Sequence, residues 1–220
     1  VQMLVHYDCG ENTMAIRGTY IIIDNYMKEQ DESFTWDNAL SLQEYLTRPE
    51  KKELDQFGCR LLTLLSWDIG NGYAAIAPGA NVEEKAEKWY ETSLFISQNL
   101  LDEETVGLPA QVMADQAHLF GKCGEDETAF SLIEQAMGIQ ENLGGPDNSC
   151  PDLVKTYCTY GEMLFFLSGD RASALEYCEK ARALSESIYG LYSKKTAQTY
   201  FLLGKYYAIQ SDYEKSLEYL

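Results

Sequence analysis

Four short stretches of this chain set a small residue into a run of large or charged helix formers, and they return at intervals of 43, 45 and 42 residues. They read Glu84-Lys85-Ala86-Glu87-Lys88-Trp89-Tyr90, Glu127-Thr128-Ala129-Phe130-Ser131-Leu132-Ile133, Ala172-Ser173-Ala174-Leu175-Glu176-Tyr177-Cys178 and Glu214-Lys215-Ser216-Leu217-Glu218-Tyr219-Leu220. Self-similarity at such a period marks a repeat architecture. Ala86, Ala129 and Ala174 each have a second small residue seven further on, at Ser93, Ala136 and Ala181. Seven residues is about two helical turns, so each pair lies on one helix face where a neighbouring helix can come close. The pattern predicts an all-α fold of stacked helices.

Charge narrows the function classes. The chain carries 17 basic and 35 acidic side chains, a formal net charge of -18. Such a surface repels a phosphate backbone and the sequence has no basic stripe, which argues against nucleic-acid binding. It favours a basic or neutral partner, although solvated helix faces account for the same composition. No apolar run of about 18 residues exists, so no membrane span is expected. Val1-Gln2-Met3-Leu4-Val5 lacks the basic flank of a signal peptide, and a cytoplasmic protein is the resulting expectation. Cys9, Cys59, Cys123, Cys150, Cys158 and Cys178 form no C-x-x-C pair and read as buried or incidental thiols. A start without Met, and a last helix cut at Leu220 before its second small residue, read as a piece of a longer protein.

Helical periodicity divides the chain into hairpins. Thr196 to Ile209 spaces Tyr200, Leu203, Gly204 and Tyr207 by three and four, and Ser211-Asp212 breaks and caps before Tyr213 to Leu220. Asp152 to Leu167, with Asp152 as cap, turns at Gly169-Asp170 into Arg171 to Ile188, which Gly190 stops. Ala110 to Lys122 and Glu125 to Asn142 pair around Gly124, and Gly144-Gly145-Pro146-Asp147 follows. Glu53 to Trp67 and Val82 to Leu100 flank a long joint containing Gly70-Asn71-Gly72 and Pro78-Gly79, or else a helix extension that breaks at Pro78. Residues 12–30 and 35–47 make one more pair, with Asp37-Asn38-Ala39-Leu40 a faint echo of the small-residue stretch. Tyr20-Ile21-Ile22-Ile23 reads as the buried side of a helix. The expected units are 11–48, 51–100, 105–143, 151–189 and 194–220, in a single array.

Several offsets agree across these units. Tyr200, Leu203-Gly204, Tyr207, Ser216 and Leu220 are matched by Tyr157, Tyr160-Gly161, Leu164, Ala174, Cys178 and Ala181, with one residue inserted at the turn. Met113, Gln116-Ala117, Phe120, Ala129, Ile133 and Ala136 form a third set. This pattern resembles the tetratricopeptide repeat family. Leu143-Gly144-Gly145-Pro146-Asp147 and Tyr189-Gly190 resemble the linkers of its kinesin-light-chain-like, long-linker subtype. The resemblance covers 105–220 well, 50–104 fairly and the first 50 residues weakly. Gln116-Ala117 and the joint at 68–81 depart from it.

The resemblance implies a right-handed superhelical solenoid of stacked antiparallel hairpins, without cofactor or metal. Ala86, Ala129, Ala136, Gly161, Ala174, Ala181, Gly204 and Ser216 would be packing positions. A concave groove would take a peptide or a protein segment. Its lining would be Gln111, Ala114, Asp115 and His118, then Lys155, Cys158, Thr159, Glu162 and Phe165, and then Gln198, Phe201, Leu202, Lys205 and Ile209. Chaperone-binding members of the family hold a C-terminal carboxylate between Lys and Asn. Lys155 and Lys205 are present here, but Cys158, Glu162 and Phe201 stand where Asn would be needed, so that clamp is not expected. Apolar contact from Phe165, Phe201 and Leu202, oriented by charges, is the expected mode, and a basic or amphipathic peptide would suit the acidic chain.

Catalytic patterns are poor. His6 and His118 are the two histidines. Asp115 and His118, three apart on one helix face, could be half a metal site or an acid–base pair, but lack a third ligand at suitable spacing. Cys123 and Cys158 carry no nucleophile signature. Asp102-Glu103-Glu104 and Glu125-Asp126-Glu127 fit helix N-termini, where negative charge is favourable. The expectation is a non-enzymatic interaction scaffold, the sensor or assembly arm of a larger bacterial-style protein. A peptide-sensing regulator is the alternative, and an all-helical enzyme the weakest reading.

Overall fold

Helices make up every regular element among the described residues of the computed structural model, which are 11–36, 38–48, 53–76, 81–101, 107–144 and 150–220. They are α1 (Glu11–Gln30), α2 (Ala39–Thr47), α3 (Gln56–Ala74), α4 (Val82–Asn99), α5 (Gly107–Cys123), α6 (Asp126–Gly144), α7 (Pro151–Met163), α8 (Arg171–Tyr189), α9 (Lys194–Ile209) and α10 (Tyr213–Tyr219). A π turn at Leu164–Ser168 extends α7. Residues 1–119 and 120–220 form two compact units, with the boundary inside α5. His6, Cys9, Asp37, Pro78-Gly79, Asp102-Glu103-Glu104 and Gly145-Pro146-Asp147 lie outside the described residues.

Caps set many of the boundaries. Asn38, Asp55, Asp170, Ser193 and Asp212 each accept a hydrogen bond from the backbone N–H three residues on, satisfying a donor the helix would otherwise leave open. Asp152 does not cap α7. Cys150 holds that position, Pro151 starts the helix, and Asp152 adds negative charge within the first turn. The α7–α8 hairpin turns at Gly169, whose φ of 75° disfavours a side chain.

In the first unit α3 and α4 pair antiparallel, with Gln56 Nε2 donating to Leu100 O (3.3 Å) and Ser93 Oγ to Thr63 O (2.9 Å). The helix α3 runs through Gly70-Asn71-Gly72 to Ala74, which is the second of the two readings of this stretch, an extension of the helix beyond Trp67 in place of a joint. Glycine costs helix stability, but tertiary packing outweighs it here. A Cβ on Gly70 would stand 2.8 Å from the Tyr90 ring, so the glycine lets the hairpin close. An aromatic cluster ties α1 and α2 to this pair. Trp89 makes edge contacts with Tyr20 (5.3 Å between centroids) and Trp36 (5.8 Å) and donates to Tyr20 Oη at 3.1 Å. Phe34 meets Tyr45 edge-on at 4.8 Å. Of Tyr20-Ile21-Ile22-Ile23, Ile23 is fully buried whereas Ile21 and Ile22 are exposed. Adjacent helical residues diverge by about 100°, so the run cannot share one face.

In the second unit α7 pairs with α8, and α9 with α10. Ala129, Ala136, Ala174 and Ala181 are fully buried, as is Ala86 in the first unit, and Ser216 is nearly so. Ser216 Oγ donates to Gly204 O at 2.9 Å. A Cβ on Gly161 would lie 2.8 Å from Cys178 Sγ and 3.0 Å from Ala174 O, and one on Gly204 would lie 2.8 Å from Leu220 Cγ. Backbones therefore come closest where the small residues meet. The residue inserted in the α7–α8 hairpin coincides with the π turn, whose i→i+5 bonding takes up one extra residue without breaking the helix.

Polar side chains pin the last helices. Arg182 Nε donates to Glu179 Oε2 (2.7 Å), and its guanidinium also donates to Glu186 Oε1 (2.6 Å). Tyr200 Oη donates to Glu186 Oε1 (2.6 Å) and Tyr219 Oη donates to Glu179 Oε1, so α8, α9 and α10 share one network. The hydrogen bond to Glu179 and burial both hold the Tyr219 phenol above its ordinary range. No disulfide joins the described cysteines to one another.

Candidate functional site

The open side of the second unit is built from α7, its π turn and α9. At about 100° per residue, Thr159, Glu162 and Phe166 fall within about 40° of Lys155 on α7, whereas Phe165 falls about 80° away. On α9 the same counting puts Lys194, Gln198, Phe201 and Ile209 within about 40° of Lys205. Exposure follows these stripes. Phe201 is 63% exposed, Phe166 52% and Ile209 47%, while Phe165 is 6%.

The two stripes meet at Lys205. Its Nζ lies 4.0 Å from Glu162 Oε1, 5.4 Å from the centre of the Phe166 ring and 5.9 Å from that of Tyr206. Beneath it, Phe165 stacks on buried Tyr206 at 4.4 Å and belongs to a core with Ala174, Cys178 and Leu203. Phe165 is thus core, and the aromatic ring on the open surface of α7 is its neighbour Phe166. Leu202 is half-buried against the same core, and Thr159 is half-buried on α7. Lys155 is exposed. Cys158 does not read as a nucleophile, because burial and then the Glu162 carboxylate push its thiol up to about 12, which leaves little thiolate.

Charge on this face departs from the chain's average. Among the described helices, α9 is the one with no Asp or Glu, and it carries Lys194, Lys195 and Lys205. Lys195 Nζ donates to Tyr189 Oη at 2.9 Å. The face therefore combines exposed aromatic rings with lysine ammonium groups and one carboxylate.

Asp115 and His118 belong to the first unit. With its nitrogen toward Tyr90 Oη (2.8 Å) and Asp115 Oδ2 (3.2 Å), the Asn71 amide turns its oxygen to Trp67 Nε1 (3.0 Å), while Trp67 Nε1 also reaches Asp115 Oδ2 at 3.0 Å. Burial and the Asp115 charge hold the Tyr90 phenol well above its ordinary range. Asp115 thus works as a tie between α3, α4 and α5. Among the described residues no group of three or more His, Cys, Asp or Glu side chains is placed to hold a metal ion.

Spacing alone does not disclose this polar tie, because its members stand 48 residues apart in sequence. Counting helix angle separates Phe166 from Phe165, but family offsets do not. The described residues also line an open hollow on α6, formed by Asp126, Glu127, Phe130, Ser131, Glu134 and Gln135. Tyr160 Oη donates to Glu134 there at 2.9 Å. No described helix is long and apolar enough to cross a membrane.

Residues 152–220 match the tetratricopeptide repeat family. Among solved structures, the chain is similar to BtubC (BKLC) from P. vanneervenii, with 19% identity, a TM-score of 0.61 and coverage of 93% of this chain and 76% of that one. It is also similar to two forms of a Podosopora anserina protein with nearly identical TPR-like repeats that has been put forward as a kinesin light chain. Both share 13% identity, with coverage of 93% and 90%, and their TM-scores are 0.57 and 0.55. No curated protein matches the chain.

Proposed function

We propose that the chain, whose residues 152–220 match the tetratricopeptide repeat family and whose fold is similar to that of kinesin-light-chain-like repeat structures, mediates protein–protein interaction through the α7–α9 face. The partner is a protein segment with an aromatic or aliphatic anchor and a neighbouring acidic side chain. The observation that carries this is the junction of Phe166, Phe201, Lys205 and Glu162. Two exposed rings supply apolar contact, and an ammonium group beside them orients a carboxylate. A net charge of -18 argues for a basic partner over the chain as a whole. Recognition depends on the charges nearby, and α9 contributes lysines and no carboxylate to this face.

In this reading the chain is a recognition arm, and what it recognises is read out by other parts of the protein that contains it. A standalone peptide sensor would use the same face. A random-peptide display against the immobilised chain tests the reading. Enriched sequences are expected to pair Trp, Phe or Leu with Asp or Glu, and Phe201→Ala or Lys205→Glu is expected to weaken them at least about tenfold, as for a central interface residue. Enrichment that ignores both substitutions, or none at all, contradicts it.

A further inference from the structure

Glu162 occupies an unusual place on this face. It stands on α7 beside the groove's central ammonium group, yet its 4.0 Å separation from Lys205 Nζ is a loose approach, and both side chains are about 40% exposed. Lys205 is shared between this carboxylate and the rings of Phe166 and Tyr206. Exposed pairs of this kind contribute little to stability. A stabilising role therefore gives a weak account of the only carboxylate in the Lys155-Thr159-Glu162-Phe166 stripe.

We propose that Glu162 is a specificity-determining residue that competes with the ligand's carboxylate for Lys205. This rests on the α7–α9 face being the binding surface. In the unbound protein Glu162 partly neutralises Lys205 and holds it over the rings. An incoming acidic side chain must displace Glu162, whereas a neutral polar side chain gains nothing by doing so. The face therefore discriminates by apolar fit first and accepts an acidic flank only where that fit is good. The pair restrains non-specific capture of acidic segments, a form of selectivity built from a repulsive element.

The test uses two labelled twelve-residue peptides, each with one Trp in a Gly/Ser background, flanked by two Asp in one and by two Asn in the other. With the full chain, both are expected to bind in a Phe201-dependent way. Glu162→Gln is expected to tighten the Asp peptide about threefold, the change one exposed ion pair can supply, and to leave the Asn peptide unchanged. In a Lys205→Gln background the gain is expected to vanish. If Glu162→Gln leaves the Asp peptide unchanged, or the gain persists without Lys205, the competition is overturned while the binding face stands. If neither peptide shows Phe201-dependent binding, both readings fall together.

Discussion

Trp89→Ala is expected to lower the stability of the first unit by about 3–5 kcal/mol, the range for deleting a buried Trp. The side chain is 2% exposed, and its effect reaches beyond α4. Its ring meets Tyr20 of α1 and Trp36 of the following segment, and its N–H donates to Tyr20 Oη. Removing it opens a cavity at the junction of α1, α3 and α4 and takes away the donor that Tyr20 uses. Native-state amide exchange measures this. Protection should fall in α1 and α2 as well as in α4, because the same cluster holds them. A loss under about 1 kcal/mol, or one confined to α4, would show that the first two helices are held by something else.

Gly161→Leu is expected to cost the second unit about 3 kcal/mol or more, at the upper end of overpacking penalties. Helix propensity predicts the opposite sign, since Leu is favoured over Gly in a helix by nearly 1 kcal/mol. The structure decides between them. Even a Cβ at this position would press on Ala174 O at 3.0 Å, and a backbone oxygen cannot rotate away, so α7 and α8 would have to separate. Gly138 of α6 is the control, because a Cβ there meets nothing within 4 Å. Gly138→Leu should leave stability within about 1 kcal/mol of the parent or raise it slightly. Urea unfolding of the two variants compares them. Equal effects would mean that close helix approach at Gly161 does not hold the hairpin.

The hairpin pattern is legible in the sequence because two signals coincide. Apolar residues at spacings of three and four give the helices, and Ser211-Asp212, Gly169-Asp170 and Gly124 give turns that local chemistry alone enforces. What sequence reading misses depends on contacts between distant residues. Gly70-Asn71-Gly72 reads as either a joint or a helix extension, and α3 continues because Gly70 faces the Tyr90 ring and Asn71 joins a polar tie with Tyr90 and Asp115. The first 50 residues carry the pattern weakly. Their folding rests on Tyr20, Phe34, Trp36 and Tyr45 packing among themselves and against Trp89, a cluster without fixed spacing.

The candidate site is legible in part for a related reason. Family offsets bring Lys155, Glu162, Phe201 and Lys205 into view and show one residue inserted at the turn, but they do not say which way the side chains of Leu164–Ser168 face. There the buried side of the helix takes Phe165, and the open side takes Phe166. Net charge also misleads when averaged over the chain. The 35 acidic residues say nothing of α9, and Asp115 is engaged in holding three helices together.

The most direct measurement of the central claim is amide chemical-shift mapping with a peptide taken from the display. The account predicts that the largest changes fall on Glu162, Phe166, Phe201 and Lys205, with those of α8's outer residues Glu176 and Lys180 small. Changes centred instead on Asp126, Phe130 and Glu134 of α6, or spread evenly over the chain, would contradict it.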